Sequence, residues 1–231
     1  MKKYEFTGEV KEYLGVTLHR IRALINFNDV EKGELGGFIE KEENLSHYND
    51  AWVYDNARVA GNAFVYGNAM VADTAFVDGD AWVYENARVY GNAIVSDNAR
   101  VFGDSWVYDN AIVDCYAMVY ESAVVGGNAM VSVNAGVSGN AIVHGYTRLH
   151  ANADVFRTNH YLSVSAIGSR FDFVTFYRDA ESGIMVSCGC FLGKLEEFKE
   201  EVKETHRDNK HAQVYLKACE LAKLQLDLKE I

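Results

Sequence analysis

Two histidines near the end of a long repeat, His144 and His150, are the side chains best suited to proton-transfer chemistry. Either could act as a general base toward a hydroxyl or amine if a neighbouring subunit completed a pocket around it. A second set, Cys188-Gly-Cys190 with His206 and His211 further along, has the donor types for a metal or a nucleophile. Its spacing matches no zinc or Cys-x-x-Cys redox pattern, and on a strand it would place both thiols on one side. A third set is acidic: Asp55, Asp73 and Asp109 fall in one column, Glu85 and Glu121 in a second, and Asp97 in another. Carboxylates at regular intervals on a stiff body could imitate the phosphate track of DNA and block a nucleic-acid-binding protein of a host. Gly61, Gly67, Gly79, Gly91 and Gly103 interrupt the columns, which keeps the charge density below that of a duplex.

The element that positions these groups is a repeat. From Ala51 the chain reads AWVYDN, ARVAGN, AFVYGN, AMVADT and onward without interruption to residue 158, eighteen units of six. Position one is Ala in sixteen units and position three is Val in seventeen, with Leu149 the exception. Ala and Val lie two residues apart, so in an extended segment both point to the same side. The Gly/Asp–Asn pair that follows tolerates the left-handed conformation that β-branched residues avoid. Each unit is thus a short strand and a corner, and three corners close a triangular coil of eighteen residues. Six coils stacked ~4.8 Å apart predict a rod roughly 29 Å long, filled with Val and Ala and edged with Asn ladders.

Positions two and four point outward, and the eighteen-residue period sorts them into three faces. One carries Trp52, Tyr54, Met70, Tyr90, Trp106 and Tyr108. Another carries Phe64, Tyr66, Trp82, Tyr84, Phe102, Met118 and Tyr120, and the third is mixed, with Arg58, Phe76, Asp78, Ile94, Ser96, Ile112, Asp114 and Met130. Two faces this aromatic exceed what a lone soluble rod exposes, which predicts burial against another subunit, a partner or the chain's own ends.

The ends differ in kind. Residues 1–50 read as an antiparallel β cap, with Tyr4–Tyr13 and Val16–Phe27 extended and GELGGFIEKEENLS leading into the first coil. Residues 159–231 read as a small α+β module: strands at Tyr161–Ile167, Arg170–Arg178 and Gly183–Cys190, the last two joined by DAES, then helices at Lys194–Thr205 and Lys210–Leu226. The fold class is therefore β-dominated, a parallel β-helix with a β cap and an α+β tail.

Charge and composition narrow the partners. The net charge is −11, and residues 51–155 hold four Arg and no Lys against eleven acids. Such a body repels nucleic-acid phosphates and anionic membranes. No apolar stretch of bilayer-spanning length and no signal-peptide pattern is present, so cytoplasmic residence is expected, with Cys115, Cys188, Cys190 and Cys219 as reduced thiols. Proline is absent altogether, in keeping with repeated rungs whose ladder donors a proline would remove.

An aliphatic residue followed four positions later by a small one, as in Val53 with Ala57 and Val59 with Ala63, resembles the hexapeptide-repeat (LpxA-like) left-handed β-helix superfamily. The NAxVxG style, together with GELGGFIEKEENLS and GCFLGKLEEFKEEVKETHRDNKHAQVY, is similar to an uncharacterised, transferase-like branch found in bacteria and phages. The resemblance implies left-handed coiling, a plausible phage origin in a bacterial host, and an oligomer, dimeric or trimeric. It also implies acyl transfer from acetyl-coenzyme A as an alternative activity, with His144 or His150 as base. Superfamily acyltransferases usually extrude a loop from one coil, and no unit here is interrupted. The reading this favours is a non-enzymatic interaction or scaffolding protein that needs no cofactor, binding a protein partner or itself through its aromatic faces.

Overall fold

The structure, a computed structural model, describes residues 1–181 and 183–226. Residues 51–155 follow the expected plan: eighteen two-residue strands, from Trp52–Val53 to Asp154–Val155, stack into three parallel sheets. Partners across the ladder lie eighteen residues apart, as in Arg88 with Trp106 and Val89 with Val107. All seventeen inward Val residues and Leu149 are fully buried, beside Ala51, Ala57 and their repeats. Full burial of one such Val contributes about 1.5–3 kcal/mol, so the column of valines dominates the rod's stability.

The corners use the chemistry their residue types suggest. Position five adopts positive φ in every unit but the last, whether Gly (Gly61, Gly91) or not (Asp55, Glu85, Asp109), and Arg157 of the last unit is extended at φ −141°. Position six forms ladders, with Asn68 Nδ2 donating to Asn86 Oδ1 at 3.0 Å and Asn92 Nδ2 to Asn110 Oδ1 at 3.0 Å.

The rod has about seven turns, one more than the hexapeptide count gives. Leu35–Ile39 pairs in parallel with the Arg58–Val59 strand, and Leu45 bridges Val65, so the segment after the hairpin forms an irregular first coil. Its period is not six, which hides it from a repeat count. Gly36 and Gly37 let it run tight against the next coil: a Cβ on Gly36 would stand 2.6 Å from Ile21 Cγ1, and one on Gly37 2.6 Å from the Ala57 carbonyl oxygen. Asn44, fully buried, closes the gap by donating from Nδ2 to the carbonyls of Ala63 (2.8 Å) and Gly61 (3.1 Å).

The antiparallel hairpin of Tyr4–Tyr13 and Val16–Ala23 extends one of the three sheets at its N-terminal edge. It also covers outward side chains of the first coils. Tyr13 packs edge-on against Phe76 at 5.0 Å between ring centroids, and Arg58 stacks over Tyr13. Phe27 and Tyr4 close over Trp52 at 5.3 and 6.1 Å.

At the other end a four-stranded antiparallel sheet (Tyr161–Ile167, Asp172–Asp179, Gly183–Cys188, Phe191–Lys194) caps the last coil. Its strands alternate as a two-faced sheet must. Tyr177, with Tyr161 and Met185, faces the rod's core, while Phe176, Val174 and Val186 face α1 (Leu195–His206) and α2 (Lys210–Gln225). The three strands expected here are four. The fourth exists because the Gly183 strand stops at Cys188, and Gly189 at φ +59° turns the chain so that Phe191 pairs back with Cys188. Cys188-Gly-Cys190 is therefore a hairpin turn, not one side of a strand. In the DAES link, Ser182 lies outside the described residues.

Candidate functional site

Three places gather side chains with chemistry. The first is the face that carries His144. Successive outward residues there are Tyr90, Tyr108, Gly126 and His144. A Cβ at Gly126 would stand 2.6 Å from Tyr108 Cζ, so the Tyr108 ring fills the space over that glycine and reaches His144, 5.8 Å away ring to ring. His144 Nε2 lies 4.0 Å from Asp109 Oδ2, with both side chains about half exposed. An imidazole beside a carboxylate is a competent general base, although no wall of the described residues closes over it.

The second place is a column on the adjacent mixed face, Asp114, Ser132 and His150 on three successive coils. Ser132 Oγ lies 2.5 Å from His150 Nδ1. Burial and the neighbouring Arg148 hold the His150 imidazole below its usual range, so near neutrality it is uncharged and its Nδ1 shares a hydrogen bond with the Ser132 hydroxyl. Burial raises the Asp114 carboxyl, one of whose oxygens is buried without a hydrogen-bond partner. Ser132 itself is buried, which leaves its hydroxyl little access to a substrate. His144 and His150 occupy different faces and do not form one site.

The third is a shallow cleft of about 160 Å³ in the C-terminal module. Phe191, Phe198 and Val202 line it with Tyr215, and Arg170, Cys188, Cys190 and His206 sit around them. His206 stacks on Tyr215 at 5.6 Å and meets His211 at 5.9 Å. The cysteines and His206 thus share a cleft, yet no group of three metal-binding side chains converges among the described residues.

The aromatic faces are organised as columns. Tyr66, Tyr84, Phe102 and Tyr120 stack at 4.8, 4.8 and 5.1 Å between successive centroids, nearly parallel, and Phe64 joins at Tyr66. Tyr90 and Tyr108 stack at 5.3 Å on the other face. Such pairs contribute about 0.5–1.5 kcal/mol each beyond their buried area, so part of each face serves the rod itself. Two residues of the expected binding set are covered, Trp52 wholly and Tyr54 in part. Trp52 is 0% exposed beneath Phe27 and Tyr4, and Tyr54 donates its hydroxyl to Asp29 Oδ1 at 2.8 Å. The N-terminal segment covers both. Trp82 and Trp106 remain 41% and 39% exposed, with Arg100 and Arg88 stacked over them at 5.2 Å.

The acidic corners have backbone partners. The amides of Asp73 and Gly127 donate to Asp55 and Asp109, and those of Gly103 and Gly139 to Glu85 and Glu121, each one coil on. Asp97 receives the Cys115 amide in the same way. These carboxylates satisfy the otherwise unpaired amides of left-handed residues, a structural role that accounts for the columns.

One corner departs from turn chemistry. Where the first coils of this edge place Gly61, Gly79 and Asp97, the later ones have Cys115, Val133 and Ala151. Val133 is β-branched yet held at φ +65°, and it is 42% exposed beside Tyr116 at 64%. The left-handed region costs such a residue about 1–2 kcal/mol. The sequence signal for this edge is the loss of Gly and Asp at position five.

Comparison with known proteins supports the architecture. A family model described as the YdcK beta solenoid repeat matches residues 81–97 and 95–109. Over 68 residues the chain is 32% identical to a protein of Escherichia coli (strain K12) named "Uncharacterized acetyltransferase YdcK". That match takes in 26% of this chain and 21% of the relative, so it spans about a fifth of the relative's length. Repeat, solenoid and matches agree on a hexapeptide-repeat-like β-helix protein. Among the described residues, no helix is long and apolar enough to cross a membrane.

Proposed function

We propose that this protein is a non-enzymatic assembly rod that docks against a second copy of itself through the face bearing Trp82, Arg100 and Met118. The observation that carries the reading is Val133, an apolar β-branched residue kept in a strained conformation at an exposed corner bordering that face. Strain of this kind persists where it serves a contact that the isolated chain does not supply. Tyr116, Met118 and Trp82 continue the apolar surface, which suits a protein contact better than solvent.

Charge favours a second copy as the occupant. The rod's four Arg residues, Arg58, Arg88, Arg100 and Arg148, all stand at outward position two, whereas most of its acids stand at corners. Glu85 and Glu121 edge the same face on the side away from Tyr116. A second copy across the face therefore sets Arg100 against a surface edged by acids, and equal coil spacing keeps the rods in register. Light scattering over a concentration series tests this: association that Trp82→Glu abolishes supports the reading, and a wild-type monomer at every concentration refutes it.

A second reading is acyl transfer, favoured by the His144–Asp109 pair and by the short similarity to a protein named an acetyltransferase. On this reading His144 takes the proton of a hydroxyl or amine acceptor while a thioester such as acetyl-coenzyme A supplies the acyl group. Acetyl-coenzyme A at millimolar concentration should then raise the melting temperature, and His144→Ala should remove the rise. No shift in the wild type sinks it.

A further inference from the structure

The turn between the last two strands of the terminal sheet holds two thiols at the lip of the C-terminal cleft. Cys190 is exposed at the tip, and Cys188 is half-buried where the preceding strand ends. Gly189 between them has φ +59° and no side chain to hinder a tighter turn. Two residues of chain span at most about 7 Å, and a disulfide needs Cα atoms about 4.4–6.8 Å apart, so the two sulfurs can meet without moving either strand far.

The surroundings of Cys188 are built with care. Tyr215 reaches across from α2 and its hydroxyl hydrogen-bonds with the Cys188 thiol. That reach requires Gly168, because a Cβ there would stand 1.8 Å from Tyr215 Oη.

We propose that Cys190 and Cys188 are an attacking and a resolving thiol that together reduce low-molecular-weight disulfides entering this cleft. Cys190, as thiolate, attacks one sulfur of the small disulfide R–S–S–R; the Cys190–S–S–R bond forms, the old S–S bond breaks, and one R–S⁻ leaves to take a proton. Cys188 then gives its proton to solvent and attacks the Cys190 sulfur, closing the Cys188–Cys190 disulfide and expelling the second R–S⁻. Two protein thiols are oxidised and one small disulfide is reduced to two thiols. The order follows from access: the exposed thiol meets the reagent, and the half-buried one is shielded from it. Burial keeps the Cys188 thiol above its usual range, and hydrogen bonding from Tyr215 to the sulfur lowers the cost of deprotonating it at the second step.

Oxidised glutathione is a suitable probe on the full chain, with acid quenching, alkylation of remaining thiols and tryptic mapping. Cleavage after Arg178 and Lys194 isolates both cysteines in one peptide, apart from Cys115 and Cys219. In the wild type this peptide should lose two hydrogens and carry no glutathione. Cys188→Ser should stop at the mixed disulfide on Cys190, and Cys190→Ser should react roughly tenfold more slowly. Tyr215→Phe should slow closure of the disulfide but not the first attack. The proposal is overturned if the wild-type peptide keeps both thiols, if it accumulates only the mixed disulfide, or if Cys188→Ser gives the wild-type product.

Discussion

The amide of Gly91 donates to Asp73 Oδ2 across 2.8 Å, one coil further along the rod. Glu85 Oε2 does the same for Gly103 at 2.9 Å. The acid thus helps to hold open the left-handed corner above it. Asp73→Ala should lower unfolding stability by about 1 kcal/mol, since the exposed amide can recover part of the loss from water, and Asp73→Asn should lower it less. Thermal or urea unfolding reads this directly. A neutral Asp73→Ala would mean that the corner amide needs no partner.

Two tryptophans at the same repeat position should behave in opposite ways. Trp52 is enclosed by Phe27 and Tyr4, so Trp52→Ala should cost about 3–5 kcal/mol and loosen the N-terminal segment to proteolysis. Trp106→Ala, on an open face, should cost well under half of that. Urea unfolding of the two variants side by side makes the comparison.

Val133→Gly separates folding from assembly. Glycine adopts φ +65° without strain, and relief of about 1–2 kcal/mol outweighs the about 0.4–1 kcal/mol of added unfolded-chain entropy, so the variant's isolated fold should gain roughly 0.5–1 kcal/mol. Its self-association should weaken, because the apolar corner is gone. Loss of stability together with unchanged association would remove the strain argument.

His150 should leave a signature in acid. Its folded value lies below 6.5, so the unfolded chain takes up the proton first as pH falls. The stability it confers is complete above about pH 6.5 and is lost as pH falls from there through the folded value. Stability measured from pH 7.5 to 5 should therefore drop in the wild type and drop less in His150→Gln. Parallel curves would show that Ser132 and its surroundings accommodate the charged ring.

The rod was legible because one physical alternation, inward Ala and Val against outward side chains, repeats in an unbroken frame. The corners were legible because Gly, Asp and Asn mark left-handed positions. What escaped depended on contacts between distant segments. Nothing local to Trp52 announces that Phe27 and Tyr4 will cover it. The first coil lacks the six-residue period, and its closure rests on Asn44 reaching the carbonyls of Gly61 and Ala63. The fourth terminal strand was hidden by reading Cys188-Gly-Cys190 as extended. At the site level His144 and His150 stand out in the sequence as candidates, whereas their neighbours Asp109 and Ser132 emerge only when coils are stacked.

Sedimentation velocity of the full chain over a concentration series tests the central claim most directly, with Trp82→Glu and Trp106→Glu run beside the wild type. The account predicts a wild-type species larger than the monomer, a monomer for Trp82→Glu, and wild-type association for Trp106→Glu, whose face is not the one that docks. A wild-type monomer throughout, or association that survives Trp82→Glu, would contradict it.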